Sequence, residues 1–256
     1  IYEDWSKIHL VTHLAKNSYI HFSDCYDKIN LEFSEWVENI PTVTLNLYDN
    51  KERDEKYSRI NKNITLSTEI DFTRYDIVLI NMVSGFDFVH EDLAMIKSKS
   101  KCPIYFDLHT LSRGIDENGT RNFRKIPEIE SWLANVDILQ MNENEMFSLW
   151  GIKSEVENIN KLLECSVEKV IITKGNKGVT FYNSGKKSKV KAINIEASNF
   201  VGCGDSFGAA FCFAYSQNKN INSALEFANL VAGIITTFNT VIEYKKLGNE
   251  IAKRTN

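Results

Sequence analysis

Four short, unbroken apolar runs set the rhythm of this chain: Ile77-Val78-Leu79-Ile80, Ile104-Tyr105-Phe106, Ile138-Leu139 and Val170-Ile171-Ile172. A strand covered on both faces reads this way, because neither side of its pleat meets water. The runs recur at intervals of about 30 residues, the size of a strand–helix–strand unit with a right-handed crossover. Helical patterns fill the intervals at residues 91–99, 126–135, 143–150 and 155–165. Beyond the last run, residues 179–182 and 190–195 read as alternating strands around an Asn183-Ser184-Gly185 turn, with the lysines of 186–189 as solvated turn residues. Helical patterns at 206–216 and 223–238 close the chain. The pattern predicts an α/β fold, a doubly wound, mostly parallel sheet flanked by helices.

One segment breaks the rhythm. Thr42-Val43-Thr44-Leu45-Asn46-Leu47-Tyr48 alternates polar and apolar, then runs into an Asp49-Asn50 turn and a charged stretch at 51–59. Alternation suits a strand with one wet face, in a small sheet projecting from the main body.

Composition narrows the class. At 256 residues the chain can bury one substantial core, and 43% apolar with 25% charged residues is ordinary for a globular protein. A net charge of −4 with no basic stripe argues against a nucleic-acid surface, and no apolar run reaches the roughly 20 residues of a membrane span. Five widely spaced cysteines without a Cys-X-X-Cys pair point to a reducing, cytoplasmic setting rather than a disulfide framework. His9 and His13 fall in a stretch, 7–13, that reads as a strand with no acidic partner near, which favours a structural role over zinc. The chain opens on Ile1 rather than Met, and is expected to begin inside a longer polypeptide.

The candidate chemistry centres on Asn199-Phe200-Val201-Gly202-Cys203-Gly204-Asp205-Ser206-Phe207. Phe207, Ala210, Phe211 and Ala214 recur along one face of a helix that starts at once behind the glycines. Glycines at 202 and 204 allow a tight turn and leave backbone N–H groups unobstructed, and the helix N-terminus adds positive potential: an anion cradle. Asp205 sits at its mouth as a general base, the pairing that phosphoryl transfer to an alcohol needs. The competing reading is a glycine-rich turn whose Asp205 or Ser206 caps the helix. Asn142-X-X-Glu145 is a helix capping box after the third apolar run. The fourth run enters Thr173-Lys174-Gly175-Asn176-Lys177-Gly178, a glycine-bearing turn at the strand end where open α/β sheets bind ligands.

In this order and spacing, the motifs resemble those of the ribokinase-like (PfkB-type) carbohydrate kinases, whose central motif commonly reads Asp-Thr-Thr-Gly-Ala-Gly-Asp-Ser-Phe. The resemblance implies an ATP- and Mg²⁺-dependent kinase acting on a hydroxyl of a sugar or nucleoside-like small molecule. Asp205 would be its base and Gly202, Cys203 and Gly204 its anion hole. It implies that Asn142 and Glu145 organise magnesium and the triphosphate, largely through water, and that Thr173, Gly175 and Gly178 lie along the nucleotide. Lys174 or Lys177 neutralises phosphate or is a turn lysine. Asn229, in Ala228-Asn229-Leu230-Val231-Ala232, lies by the adenine or is an amide satisfied by backbone. The family's β lid corresponds to about residues 30–68, leaving 1–29 and 69–256 as the α/β body, and the lid is the expected surface of a homodimer. The chain departs from the pattern at Asn199, Phe200 and Val201 and has no glycine near Thr240, which questions the family's monovalent-cation loop. Nothing before Thr42 supplies the family's first strand with its sugar-binding acid and Gly-Gly pair, so that part of the fold is expected to be missing. Phe106-Asp107-Leu108-His109-Thr110-Leu111-Ser112-Arg113 resembles Phe-Asp-X-Asn-X-Arg and is given little weight. The alternatives are a non-catalytic nucleotide- or sugar-binding regulator on the same fold and a nucleoside kinase; a dinucleotide-binding protein lacks its Gly-X-Gly-X-X-Gly.

Overall fold

A computed structural model describes residues 7–48, 54–61 and 63–255. Its centre is a six-stranded sheet. The parallel strands β5 (Val78–Asn81), β6 (Ile104–Asp107), β9 (Ile138–Asn142) and β10 (Lys169–Thr173) lie side by side in that order, and the antiparallel strands β11 (Val179–Asn183) and β12 (Lys186–Val190) continue the sheet beyond β10. The four apolar runs are therefore the four parallel strands.

Small elements surround this sheet. β1 (His13–Leu14) pairs with β2 (Glu35–Trp36), β3 (Val43–Asn46) with β4 (Asp54–Tyr57), and β7 (Arg113–Ile115) with β8 (Arg121–Phe123). Two one-turn helices, α1 (Lys16–Tyr19) and α2 (Ser23–Tyr26), lie between β1 and β2 in the sequence. Side chains leave a strand alternately to its two faces. Phe106, Leu139, Met141, Val170 and Ile172 join one core with α3 (His90–Lys99), α4 (Ile129–Leu133), α5 (Glu143–Trp150) and α6 (Glu155–Glu164). Tyr105, Ile138 and Ile171 join a second core with α7 (Cys203–Asn218) and α8 (Ile221–Ile235), which α9 (Leu247–Thr255) flanks. Each large apolar side chain buried in these layers is worth about 1.5–3 kcal/mol. The result is the expected helix–sheet–helix sandwich.

Several local expectations change. Residues 190–195 are not a strand: β12 ends at Val190, and Lys186-Lys187-Ser188-Lys189 lies within it. β12 is the sheet's edge, exposed at all four of those positions, so its lysines meet water and discourage pairing with another chain. The helix expected over 126–135 starts only at Ile129, because Glu128 takes a left-handed conformation at φ 50°. The 7–13 stretch forms no continuous strand; it pairs through one bridge, His9 with Asn30, and through β1. His13 does meet an acid: Nε2 is 3.3 Å from Glu35 Oε2, brought alongside by β2.

The alternating segment forms β3, packed antiparallel on β4, while the expected Asp49-Asn50 turn and residues 51–53 lie outside the described residues. The pair is fastened to the body through β8. Tyr57 N–H donates to the Gly119 carbonyl at 2.8 Å. Arg121, with no side-chain exposure, donates to the Tyr57 hydroxyl at 2.9 Å and sits 3.5 Å from Glu55. The Tyr57 hydroxyl in turn donates to the Val83 carbonyl, just past the end of β5.

On the far side, Glu155 at the start of α6 accepts from Lys174, Lys187 and Tyr182. Burial opposes its ionisation, but these three hydrogen bonds outweigh that and lower its carboxyl to about 2. A folded-state pKa below the unfolded value contributes stability above the unfolded value, and that stability is lost as pH falls through the folded one. Glu155→Gln is thus expected to lower the denaturant midpoint at pH 7 and to match the unmodified chain increasingly closely between about pH 4.5 and pH 2. A gap of constant size down to pH 2 would show that the network does not hold the charge.

Candidate active site

The four parallel strands all end on a polar residue: Asn81, Asp107, Asn142 and Thr173. Carboxyl ends of parallel strands form the ligand-binding edge of an open α/β sheet, and α7 begins against this one. Gly202 caps α7 with φ 78°, a conformation glycine adopts without strain, and Asp205 falls in the first turn. Asp205 is exposed, and its Oδ1 accepts from Asn81 Nδ2 at 2.9 Å across 124 positions of sequence.

A buried amide holds the same turn from below. Gln140 Nε2 donates to the Gly204 carbonyl at 3.1 Å and to Asp107 Oδ2 at 3.0 Å, while its Oε1 accepts from the Tyr105 hydroxyl. α7 can come this close because Gly208 has no side chain; a Cβ there would stand 3.2 Å from Gln140 Oε1.

Asp107 and His109, given little weight from the sequence, belong to this centre. Asp107 is buried, and burial together with the charges of Glu145 and Asp205 raises its carboxyl to about 8, against the pull of His109. His109 Nδ1 lies 3.1 Å from Glu145 Oε1. Burial alone would lower the His109 pKa, but the hydrogen bond and charge of Glu145, with Asp107 and Asp205, raise it. His109 thus pairs directly with Glu145, while Asp107 and Asp205 act on it through charge alone. Arg113, at the end of the same motif, turns the other way and stacks its guanidinium on Phe123, 4.2 Å from the ring centre.

Asn142 and Glu145 form the capping box in full. Asn142 Oδ1 accepts from Glu145 N at 2.9 Å, Glu145 Oε2 from Asn142 N at 2.8 Å, and Glu145 Oε1 from Asn142 Nδ2 at 2.8 Å. Among the described residues, no three His, Cys, Asp or Glu side chains converge as a metal-ligand set. A magnesium ion here would have to keep most of its waters, as that ion commonly does.

The turn after β10 is exposed at Gly175, Asn176 and Lys177, and its backbone folds on itself, with Lys174 N–H donating to the Gly178 carbonyl at 2.8 Å. Lys174 is occupied by protein, 3.1 Å from Glu143 and paired with Glu155, whereas Lys177 is exposed. Asn229 donates to the Lys191 carbonyl at 2.8 Å, tying α8 to the chain after β12. Cys203 Sγ, half-buried, donates to the Phe200 carbonyl at 3.0 Å. Asn199 is pinned on both sides of its amide: Nδ2 donates to the Phe238 carbonyl at 3.2 Å and Oδ1 accepts from Val201 N–H at 2.9 Å.

Residues 94–243 match the pfkB family carbohydrate kinases. The match spans more than half of the chain and contains Asp107, Asn142, Glu145, the 173–178 turn and the Gly202–Asp205 loop. The chain is a member of the pfkB family. Its curated pfkB relatives include the ribokinase of Haemophilus influenzae, 30% identical over 110 residues that make up 41% of this chain and 36% of that protein. The chain therefore aligns with little more than a third of that relative's length. Solved pfkB-type folds superpose more fully. A sulfate complex of a pyrophosphate-dependent kinase in the ribokinase family gives a TM-score of 0.78 at 17% identity, covering 90% of this chain and 81% of that one. Ribokinase from Arabidopsis thaliana, complexed with ribose and ATP, gives 0.71 at 18%, covering 94% and 81%.

Sequence reasoning missed Asn81 and Gln140 and undervalued Asp107 and His109. A usable signal was present: each apolar run stops on a polar residue, and in a parallel sheet that position faces the ligand edge.

Proposed function

We propose that this chain is a phosphotransferase that moves the γ-phosphoryl group of ATP to a hydroxyl of a sugar or sugar-like small molecule. The observation that carries this is Asp205, exposed and held by Asn81 in the first turn of α7, directly behind a Gly202 N-cap that makes no side-chain capping bond. Asp205 takes the proton of the acceptor hydroxyl. The N–H groups of Gly202 to Asp205 and the helix dipole stabilise negative charge on the group in transit. ATP with Mg²⁺, when bound, supplies the phosphoryl group and neutralises its oxygens. Asn142, Glu145 and the 173–178 turn would hold the nucleotide, and the chain's family membership supports ATP as the donor. The division into an α/β body and a lid at 30–68 gives such a site a cover that excludes water. We further place the protein in the reducing cytoplasm, which its five free cysteines support, and assign pairing of two chains to the lid.

The test is acceptor-dependent release of ADP from ATP and Mg²⁺ across a panel of sugars, polyols and nucleosides, with pyrophosphate as a second donor arm. Stoichiometric ADP and phosphorylated acceptor are expected. Phosphate release only from pyrophosphate would replace the donor, and binding without transfer would favour the regulator reading.

Family resemblance also raises a monovalent cation, and the residues here do not suit one. The Phe238 carbonyl accepts from Asn199, whose amide lacks the charge of the family's aspartate. Turnover and melting temperature are expected to be alike, within about twofold and 1 °C, in potassium and in tetramethylammonium. Saturable activation by potassium would overturn this.

A further inference from the structure

We infer that Asn81 has two roles at this site: it positions the Asp205 carboxylate, and it accepts a hydrogen bond from a second hydroxyl of the acceptor. The inference rests on the phosphotransferase reading and deepens it, by specifying an acceptor with hydroxyls on neighbouring carbons.

Asn81 is the last residue of β5, at the carboxyl edge of the sheet, and is half-buried. Its side chain reaches Asp205 Oδ1 at 2.9 Å. An ionised carboxylate only accepts, so the group facing it must be the amide NH₂, and this fixes the orientation of the Asn81 side chain. The hydrogen bond occupies one oxygen of Asp205 and leaves Oδ2 for the substrate. Oδ2 already lies on the loop side, 3.9 Å from the place a Cβ on Gly202 would take. The other end of the amide is then the notable feature. Among the described residues Asn81 Oδ1 has no hydrogen-bond partner, although it adjoins an exposed general base. The two side chains joined by that one hydrogen bond thus keep one acceptor oxygen each, Asn81 Oδ1 and Asp205 Oδ2. Neighbouring hydroxyls of a polyol offer two donors, one for Asp205 Oδ2 and one for Asn81 Oδ1.

The step balances simply. The first hydroxyl gives its proton to Asp205 Oδ2 as its oxygen bonds to the γ-phosphorus of ATP, and the bond from that phosphorus to the bridging oxygen breaks to release ADP. The second hydroxyl keeps its proton and stays bonded to Asn81 Oδ1. Asn81 holds the base by one end and the acceptor by the other.

The experiment uses the full chain with ATP and Mg²⁺. The acceptors are D-ribose, D-fructose and myo-inositol, each compared with the analogue lacking the hydroxyl next to the phosphorylated one. Acceptor affinity is measured by calorimetry alongside kcat and KM. In the unmodified chain, removing the neighbouring hydroxyl is expected to weaken binding and raise KM by about tenfold, the value of one hydrogen bond. Asn81→Ala is expected to bind acceptor and analogue alike, and to lower kcat by a further 10²-fold or so as the base loses its placement. Asn81→Asp, equal in size, sets a second carboxylate against Asp205 and is expected to lose kcat at least as fully. Asn81→Ala that still discriminates the analogue, or that keeps the unmodified kcat, overturns the inference. Asn81-dependent binding with no phosphoryl transfer in any chain would sink the phosphotransferase reading while upholding the Asn81 contact.

Discussion

Asp205→Asn is expected to lower turnover by about 10²–10⁴, the usual contribution of a general base, while the melting temperature stays within about 4 °C of the unmodified chain. The two halves of this expectation have different origins. The amide has the shape of the carboxylate and still offers Oδ1 to Asn81, so the hydrogen bond between β5 and α7 survives. What disappears is a negative charge in the first turn of α7, worth about 0.3–1 kcal/mol against the helix dipole, which on a chain of this size is a shift of a few degrees at most. The N-cap is Gly202, which makes no side-chain cap, so no capping bond is lost. Turnover near the unmodified value would remove Asp205 from the mechanism. An equally deep loss of both turnover and melting temperature would show that Asp205 is a structural residue.

The second large effect is on stability. Gly178→Ala is expected to cost at least about 3 kcal/mol, at the upper end of what a forbidden backbone conformation costs by itself. Gly178 has φ 84° and ψ −136°, a region essentially reserved for glycine. A Cβ there would stand 2.1 Å from the Val190 carbonyl and 2.5 Å from Ala192 N, both backbone atoms in or beside β12 that cannot swing away. Gly175→Ala is the control in the same turn: φ is 54°, but no atom lies within 4 Å of the new Cβ. Its cost is expected near 1–2 kcal/mol, the left-handed penalty alone. Thermal melts of the two variants decide the matter. Equal losses would mean that packing of the turn against β12 contributes little, and that both glycines serve backbone conformation or ligand approach.

The same pair of glycines shows what could be read from the sequence and what could not. Elements whose two neighbouring layers are both apolar were legible, because burial on both faces leaves an unbroken hydrophobic run; β5, β6, β9 and β10 are of this kind. The capping box at Asn142 and Glu145 was legible because its partners are three residues apart. β12 was not: an edge strand with water on both sides can carry Lys-Lys-Ser-Lys, and only its register with β11 makes it a strand. The start of α4 depended on Glu128 taking a positive φ, which no local pattern announces. Within the site, the Gly202–Asp205 loop announced itself through glycine spacing. Asn81 and Gln140 did not, since each acts on that loop from another strand, 124 and 64 positions away, and an amide ending or interrupting an apolar run has no local signature of a partner. The Asp107 carboxyl was underestimated for a related reason: its raised pKa comes from burial and from Glu145 and Asp205, all supplied by tertiary structure.

The central claim is that the Gly202–Asp205 loop transfers phosphate to an alcohol. Its most direct measurement is ³¹P NMR of the full chain with ATP, Mg²⁺ and the polyol panel, run beside Asp205→Asn. The account predicts a new phosphomonoester resonance growing in step with ADP, dependent on acceptor, and slowed at least 10²-fold in the variant. ATP that stays intact with every acceptor, or a phosphomonoester that forms equally fast in both chains, would contradict it.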